Sequence, residues 1–165
     1  GSPMYYAARI AKEKYPDAKI VFVGPCVAKR KEAQRDEAVD FVMTFEEVSS
    51  IFDAFEVNLE IVQPYAMEFS SVREAHGFAQ AGGVMGAVKA FLKMEADKIN
   101  AIQVSDLNKK NIGTLRAYAK SGKAPGQFIE VMACEGGCIT GPSTHSGSNG
   151  KRQLVQELAK QEKTY

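Results

Sequence analysis

One stretch of the chain leads directly from an apolar segment into a pair of cysteines: Phe128-Ile129-Glu130-Val131-Met132-Ala133-Cys134-Glu135-Gly136-Gly137-Cys138. The run from Phe128 to Met132 predicts a buried strand. Glycine lets the backbone adopt positive φ and approach a bulky ligand closely. The small residues between Cys134 and Cys138 therefore suggest a metal or cluster held against the main chain. The spacing alone leaves open that both thiols are simply small buried hydrophobic side chains.

The third cysteine also follows a strand-like run. Cys26 comes shortly after Lys19-Ile20-Val21-Phe22-Val23. Ligands of open parallel sheets bind beyond the carboxyl ends of the strands. We therefore expect Cys26 to face the Cys134–Cys138 loop across a cleft. Three thiolates can hold a cluster only if water, another side chain or another chain takes the remaining position.

Alternating strands and helices indicate the fold class. Short apolar segments at residues 19–23, 40–43, 99–104 and 128–132 are separated by helical patterns. This alternation predicts an α/β fold, a three-layer sandwich around a four-stranded, mainly parallel sheet. The chain has 165 residues, of which 45% are hydrophobic, so we expect residues 1–165 to form a single domain.

Two of the predicted helices carry specific signals. Thr44-Phe45-Glu46-Glu47 has the pattern of a capping box. The apolar stripe that follows, formed by Val48, Ile51, Phe52 and Phe55, is predicted to lie in the core. The charged helix at residues 28–37 points its amino end at Cys26, and the partial positive charge there suits an anionic cluster or phosphate.

Composition excludes several classes of function. The 21 basic and 20 acidic residues give a net charge of +1, so no nucleic-acid or anionic-membrane footprint is expected. No apolar run approaches the roughly 20 residues that a membrane span requires. The odd number of cysteines argues against a disulfide framework and for a reducing, cytoplasmic location.

Three segments together resemble one known family. They are Gly24-Pro25-Cys26-Val27-Ala28-Lys29-Arg30-Lys31-Glu32, Gly82-Gly83-Val84-Met85 and Met132-Ala133-Cys134-Glu135-Gly136-Gly137-Cys138. From about Ser2 to Gly141, the chain resembles the carboxy-terminal part of the H-cluster domain of iron-only (FeFe) hydrogenases. The resemblance implies a 4Fe-4S cluster held by four cysteines, one of which bridges to a diiron site carrying carbonyl, cyanide and a dithiolate. It also implies a reversible reaction with hydrogen.

The resemblance assigns roles to individual residues. It implies that Cys26, Cys134 and Cys138 are three of the four cluster ligands, with Cys138 as the bridge. Lys29 matches a lysine that holds a cyanide ligand, and Glu32 matches a glutamate on a proton path. The remaining matched residues lie against the cofactor: Gly24, Pro25, Phe78 and Met132.

The chain also departs from the family pattern. The motif with the fourth cysteine is expected upstream of Ser2. The resemblance thus implies that the partner of this chain is the upstream half of the same domain, which supplies that cysteine. Catalytic members carry methionine at the position of Gly24 and glutamate at that of Gly86. Glycine at position 24 is expected to leave volume open beside the cofactor, so that solvent or a different neighbour can approach it. These changes favour the sensory or regulatory branch, whose partners are electron-transfer or signalling modules.

Two alternatives compete with a hydrogen-reactive H-cluster domain. One is a hydrogenase-related iron–sulfur protein without a diiron site, with a structural or assembly role. The other is a zinc site formed by Cys26, Cys134, Cys138 and His145, although an exposed His145 is the simpler interpretation. We expect the complete protein to be a ferredoxin-type hydrogenase. The chain alone should fold, be purified largely without a cluster, and be inactive.

Overall fold

The computed structural model describes residues 1–63, 65 and 71–161. The chain forms two compact units, which are treated separately below. Residues 1–65 and 142–145 make up the first unit, and residues 66–141 and 146–165 make up the second. The expectation of a single domain stays a prediction.

The first unit is built on two parallel strands. In chain order it contains α1 (Pro3–Lys14), β1 (Val21–Val23), α2 (Ala28–Asp36), β2 (Phe41–Met43) and α3 (Phe45–Ala54). The strands pair from Val21 with Phe41 to Val23 with Met43. Its buried core consists of Met4, Ala8 and Val39, against which Ile20, Phe22 and Val42 pack.

One face of this small sheet is exposed and apolar. Val21, Val23 and Phe41 are 48%, 43% and 59% exposed. Successive side chains of a strand point to opposite faces, so these three lie opposite the core-facing Phe22 and Val42. Parallel strands are normally covered on both faces, so this exposed apolar face is unusual for such a sheet.

The capping box of α3 is confirmed, but its core stripe is only partly buried. The hydroxyl of Thr44 accepts a hydrogen bond from the Glu47 amide, and the Glu47 carboxylate accepts one from the Thr44 amide. Ile51 is 41% exposed and Phe55 is 78% exposed, so the prediction that they lie in the core is wrong. Periodicity identifies the apolar face of a helix, but not whether another element covers that face.

The second unit has its own pair of parallel strands. Its helices are α4 (Arg73–His76), α5 (Gly83–Leu92), α6 (Lys109–Ser121) and α7 (Gly147–Ala159), and its strands are β3 (Ala101–Ser105) and β4 (Phe128–Met132). Short 3-10 turns occupy Gly77–Ala79, Lys93–Lys98 and Cys138–Thr140. The strands pair from Ala101 with Phe128 to Ser105 with Met132.

The mixed α/β class with parallel strands is confirmed, but the predicted sheet is not. In the described residues, β1 pairs with β2 and β3 with β4, giving two two-stranded sheets. The four-stranded sheet, with the sandwich expected around it, is therefore wrong. Local apolar patterns identify strands, whereas strand pairing depends on contacts far apart in sequence. No helix within the described ranges is long and apolar enough to cross a membrane.

Candidate metal centre

The loop that carries Cys134 and Cys138 grows out of the paired strands of the second unit. The β3–β4 pairing continues beyond the strand ends, because Asp106 N donates to Met132 O at 3.0 Å and Leu107 N donates to Ala133 O at 3.2 Å. Backbone hydrogen bonds thus fix the chain up to Ala133, the residue before Cys134. Cys134 and Cys138 are both half-buried.

The two glycines between these cysteines have the conformation that the sequence predicts. Gly136 has φ = +82° and Gly137 has φ = +100°, a region that L residues with side chains rarely adopt. A Cβ on Gly137 would lie only 2.4 Å from the backbone nitrogen of Ala81. The loop therefore approaches the segment before α5 more closely than any side chain at Gly137 would allow.

A hydroxyl at the end of β3 contacts the same loop. Ser105 Oγ accepts a hydrogen bond from Gly136 N at 3.0 Å. It donates to Cys134 O at 3.4 Å. Two peptide groups between the thiols are consequently tied to one strand end.

A buried carboxylate fixes the start of α5. Glu130, in the middle of β4, is only 4% exposed. Its Oε1 accepts from Gly82 N at 2.5 Å and its Oε2 accepts from Met85 N at 2.7 Å. A negative charge at the amino end of a helix is favourable, because the first amides there lack partners within the helix. Sequence reasoning missed Glu130, although an acidic residue inside an apolar strand is a usable signal.

The structure brings several predicted site residues together in the second unit. Met132 is the last residue of β4, two positions before Cys134, and is half-buried. Phe78 is half-buried in the turn at Gly77–Ala79, which contacts the turn that begins at Cys138. Phe78, Met132 and the two cysteines thus belong to neighbouring elements of one unit.

The remaining predicted residues lie in the first unit. Gly24, Pro25 and Cys26 form the connection between β1 and α2. Gly24 N donates to Met43 O at 3.0 Å, and Pro25 O accepts from Ser143 N at 3.4 Å. Cys26 is half-buried. Its expected convergence with Cys134 and Cys138 stays a prediction.

The amino end of α2 follows Cys26 closely. Val27 occupies the N-cap position, and no side chain caps the first amides of the helix. Lys29 N donates to Cys26 O at 3.2 Å. The helix start next to Cys26 thus keeps its partial positive charge, as the sequence predicts.

Lys29 and Glu32 contact each other on α2. Lys29 Nζ lies 2.5 Å from Glu32 Oε2 and donates to Ser2 Oγ at 2.8 Å. Glu32 Oε1 accepts from Ser2 N at 3.1 Å. Burial acts to raise the pKa of Glu32, but the hydrogen bonds from Lys29 and Ser2 outweigh it and hold the pKa below its usual value. The Glu32 carboxylate is therefore ionised at neutral pH.

A different neighbour occupies the volume that Gly24 leaves open. A Cβ there would lie 2.8 Å from Cε1 of Phe22, so the Phe22 ring fills the space in which a longer side chain would begin. At Gly86, in contrast, a Cβ would meet nothing within 4 Å. Gly24 and Gly86 therefore differ in the room that they leave for a side chain.

The cysteine thiols are the type of ligand that an iron–sulfur group requires. Thiolates are soft ligands typical of iron–sulfur clusters, and a glycine-lined loop lets the backbone approach such a group. Among the residues that the structure describes, no group of three or more His, Cys, Asp or Glu side chains forms a candidate metal site. His145 is exposed, as the simpler interpretation expected, and His76 is exposed as well.

Comparisons with known proteins identify the family. The model of the "Iron only hydrogenase large subunit, C-terminal domain" matches residues 1–142. The cytosolic Fe-S cluster assembly factor narfl of Danio rerio is 28% identical over 86% of this chain and 46% of its own length. Iron hydrogenase 1 of Clostridium pasteurianum is 28% identical over 85% of this chain and 32% of its own.

A solved structure supports the fold. It belongs to an FeFe-hydrogenase studied for oxygen inactivation of its H cluster, and it aligns with a TM-score of 0.59 at 21% identity. The alignment covers 94% of this chain and 56% of that chain. The chain spans less than half the length of the two curated relatives above. Because the family model matches most of its length, this chain belongs to the family of the C-terminal domain of the iron-only hydrogenase large subunit.

Proposed function

We propose that this chain is the cofactor-binding part of a hydrogenase-like iron–sulfur protein, with Cys26, Cys134 and Cys138 as ligands. The observation that carries the proposal is the loop between Cys134 and Cys138, in which both glycines have positive φ. Positive φ at both glycines turns the backbone sharply between the two thiols, with Gly137 N donating to Cys134 O at 3.1 Å, so both cysteines flank one tight loop. Iron–sulfur chemistry is also what the family implies.

The finer proposal is an H-cluster, with a 4Fe-4S cluster and a diiron subcluster that react reversibly with hydrogen. Lys29 supports it. A lysine ammonium has three N–H donors, and among the described residues two of its hydrogen bonds are accepted by Ser2 Oγ and Glu32 Oε2. The third can serve an anionic ligand such as cyanide without breaking the pair with Glu32. Phe78 and Met132 would exclude water from the cofactor, and Gly24 and Pro25 would lie beside it.

We further propose a sensory role with slow turnover. Gly86 supports it, since it removes a carboxylate found in the catalytic branch and leaves open space at the start of α5. The partners would be an upstream half of the domain, which supplies a fourth cysteine, and electron-transfer or signalling modules. Three cysteines and a net charge of +1 favour a reducing, cytoplasmic setting without nucleic-acid binding.

A second candidate is an iron–sulfur protein without a diiron site, with an assembly role. The similarity to a cytosolic Fe-S cluster assembly factor favours it. In this case Lys29 would have no cyanide to hold, and its contacts with Glu32 and Ser2 would be purely structural.

The full-length protein, matured with its cofactor under anaerobic conditions, distinguishes the two candidates. Infrared bands of iron-bound carbonyl and cyanide, together with slow hydrogen oxidation, are expected for the H-cluster. Iron and sulfide without those bands would favour the assembly role. Loss of iron in Cys138→Ser, with Ser121→Ala as a folding control, tests the ligand assignment. Iron content unchanged by Cys134→Ser and Cys138→Ser together would refute both candidates.

The same sample tests the sensory assignment. The parent protein is expected to turn over hydrogen far more slowly than Iron hydrogenase 1 under identical conditions. A rate equal to that of the comparison enzyme would refute the sensory role while leaving the H-cluster proposal intact.

A further inference from the structure

The hydroxyl of Ser105 joins two points of the loop between the cysteines. Ser105 Oγ accepts from Gly136 N at 3.0 Å and donates to Cys134 O at 3.4 Å. Ser105 ends β3 and is the register partner of Met132 on β4. One hydroxyl thus anchors the turn between the thiols to the end of a paired strand.

The other side of the turn is held as well. Gly136 O accepts from Ala81 N at 3.0 Å. The next residue, Gly82, donates to the buried carboxylate of Glu130. Both the amide and the carbonyl of Gly136 therefore have protein partners, Ser105 at the end of β3 and Ala81 just before α5.

The backbone around Ser105 is itself tightly determined. Asp106 has φ = +75°, an unfavourable value for a residue with a side chain. Asn111 Nδ2 donates to Asp106 O at 2.7 Å and to Ser105 O at 3.3 Å. Strained positions persist only where surrounding contacts enforce them, so the location of the Ser105 hydroxyl is closely defined.

We propose that Ser105 is a positioning residue for the thiol ligands. Its hydroxyl holds the Cys134–Cys138 loop in a metal-binding conformation before any metal is present. The inference rests on the proposed role of these cysteines as ligands. It adds that the loop is organised by hydrogen bonds of the protein rather than by the metal. Residues that orient metal ligands typically contribute 10- to 100-fold in metal affinity, which gives the size of the expected effect.

The amide of Gly136 gives the proposal a second consequence. An N–H bonded to Ser105 Oγ is not available to a metal-bound sulfur. Hydrogen bonds to sulfur tune the reduction potential of iron–sulfur clusters. Ser105 therefore also determines which backbone donors face the bound group.

The test uses the reduced, metal-free chain and Cd²⁺ alone as the probe. Sulfur-to-cadmium charge-transfer absorption reports the affinity, and hydrogen exchange reports the protection of the Gly136 amide. Ser105→Ala is expected to lower the Cd²⁺ affinity about tenfold or more and to accelerate Gly136 exchange at least as much. Ser105→Thr, which keeps the hydroxyl, is expected to restore both values.

Ser121 provides a matched control. Its hydroxyl also joins a donor and an acceptor, accepting from Lys123 N at 3.2 Å and donating to Tyr118 O at 3.3 Å. Ser121→Ala is expected to leave the Cd²⁺ affinity unchanged. An equal fall in Ser121→Ala, or an unchanged affinity in Ser105→Ala, would overturn the proposal.

Two further measurements keep the test decisive. If Ser105→Ala does not fold, Ser105→Thr and Ser105→Val are compared, since they differ mainly in the hydroxyl. Equal Cd²⁺ affinities for these two would overturn the proposal. In the wild type, an unprotected Gly136 amide in the absence of metal would overturn it independently of any variant. Failure of the full-length protein to hold iron would refute the proposed function, not the role of Ser105.

Discussion

Lys29 and Glu32 lie one turn apart on α2 and form an ion pair with an Nζ–Oε2 distance of 2.5 Å. The family resemblance gives them separate tasks, an anion-holding cation and a proton-path carboxylate. Both side chains are largely buried, at 20% and 14% exposure, so each strongly influences where the other points. A substitution of Glu32 is therefore expected to change the position of the Lys29 ammonium as well.

The first prediction concerns the pH dependence that this pair gives to stability. The pKa of Glu32 is lower in the folded chain than its ordinary value, so its ionised form stabilises the fold. That contribution is complete above the unfolded-state pKa of about 4.3 and is lost as the pH falls through the folded pKa. Glu32→Gln is expected to cost about 1 kcal/mol at pH 6 and progressively less as the pH falls through the lowered pKa of Glu32.

Urea unfolding at a series of pH values measures this difference. Glu60→Gln serves as the control, because Glu60 is exposed on a loop of the same unit. A cost of Glu32→Gln that stays constant down to the acid end of the series would show that ionisation of Glu32 does not stabilise the fold.

The second prediction ranks three glycine-to-alanine substitutions in the second unit. Gly137→Ala combines positive φ with a Cβ 2.4 Å from Ala81 N and should cost about 3 kcal/mol or more. Gly136→Ala has the φ strain but an ordinary 3.4 Å contact with Thr140, so about 1–2 kcal/mol is expected. Gly113→Ala, within α6 and without close neighbours, should stabilise the chain by about 0.5–1 kcal/mol.

Free energies of unfolding at neutral pH test this order. If Gly137→Ala were no worse than Gly136→Ala, the close approach of the loop to Ala81 would be wrong.

Sequence patterns predicted the parts of the structure that depend on neighbouring residues. The capping box at Thr44 and Glu47 and the positive φ of Gly136 follow from local chemistry, and both are observed. The four strands were also located to within one or two residues at each end. In each case the signal and the structure it specifies lie within a few positions of each other.

The features that were missed depend on distant partners. Glu130 bonds to the amide of Met85, 45 residues away, and Ser105 to that of Gly136, 31 residues away. Pairing of β1 with β2 rather than with β3 or β4 is equally non-local. Exposure of Ile51 and Phe55 reflects whether anything covers α3, which periodicity does not encode. The predicted approach of Cys26 to the other cysteines belongs to this non-local class and stays a prediction.

The third prediction tests the buried carboxylate of Glu130. Glu130→Gln replaces one acceptor by an amide NH₂ facing an N–H donor, so a loss of about 1–2 kcal/mol is expected. Glu130→Ala leaves the amides of both Gly82 and Met85 unpaired and should cost about 3 kcal/mol. Hydrogen exchange at these two amides should accelerate in both variants.

Glu95→Gln is the matched control for Glu130. Glu95 pairs with Lys98 at 2.7 Å on the surface, where such pairs contribute about 0–1 kcal/mol. Unchanged protection of the Gly82 and Met85 amides in Glu130→Ala would contradict the capping role of Glu130.

The last prediction concerns Gly24 and Gly86, at which the family resemblance leads us to expect methionine and glutamate in catalytic members. Gly24→Met must displace the Phe22 ring, whose Cε1 lies 2.8 Å from the new Cβ, and Phe22 packs against the core of Met4, Ala8 and Val39. Overpacking of this kind typically costs about 1–3 kcal/mol. Gly86→Glu enters open space on α5 and should change the free energy of unfolding by less than about 0.5 kcal/mol.

A double-mutant cycle with Phe22→Leu identifies the cause of the first effect. With a smaller side chain at position 22, Gly24→Met should lower the free energy of unfolding much less. We expect a coupling energy of about 1 kcal/mol between the two sites. Additive effects would mean that Phe22 is not what opposes methionine at position 24. With coupling, restoring the catalytic pattern at this position requires Phe22 to change as well. Gly24 and the Phe22 ring would then pack as one unit. A single Gly24→Met substitution would destabilise the fold, so its effect on the cofactor could not be measured separately.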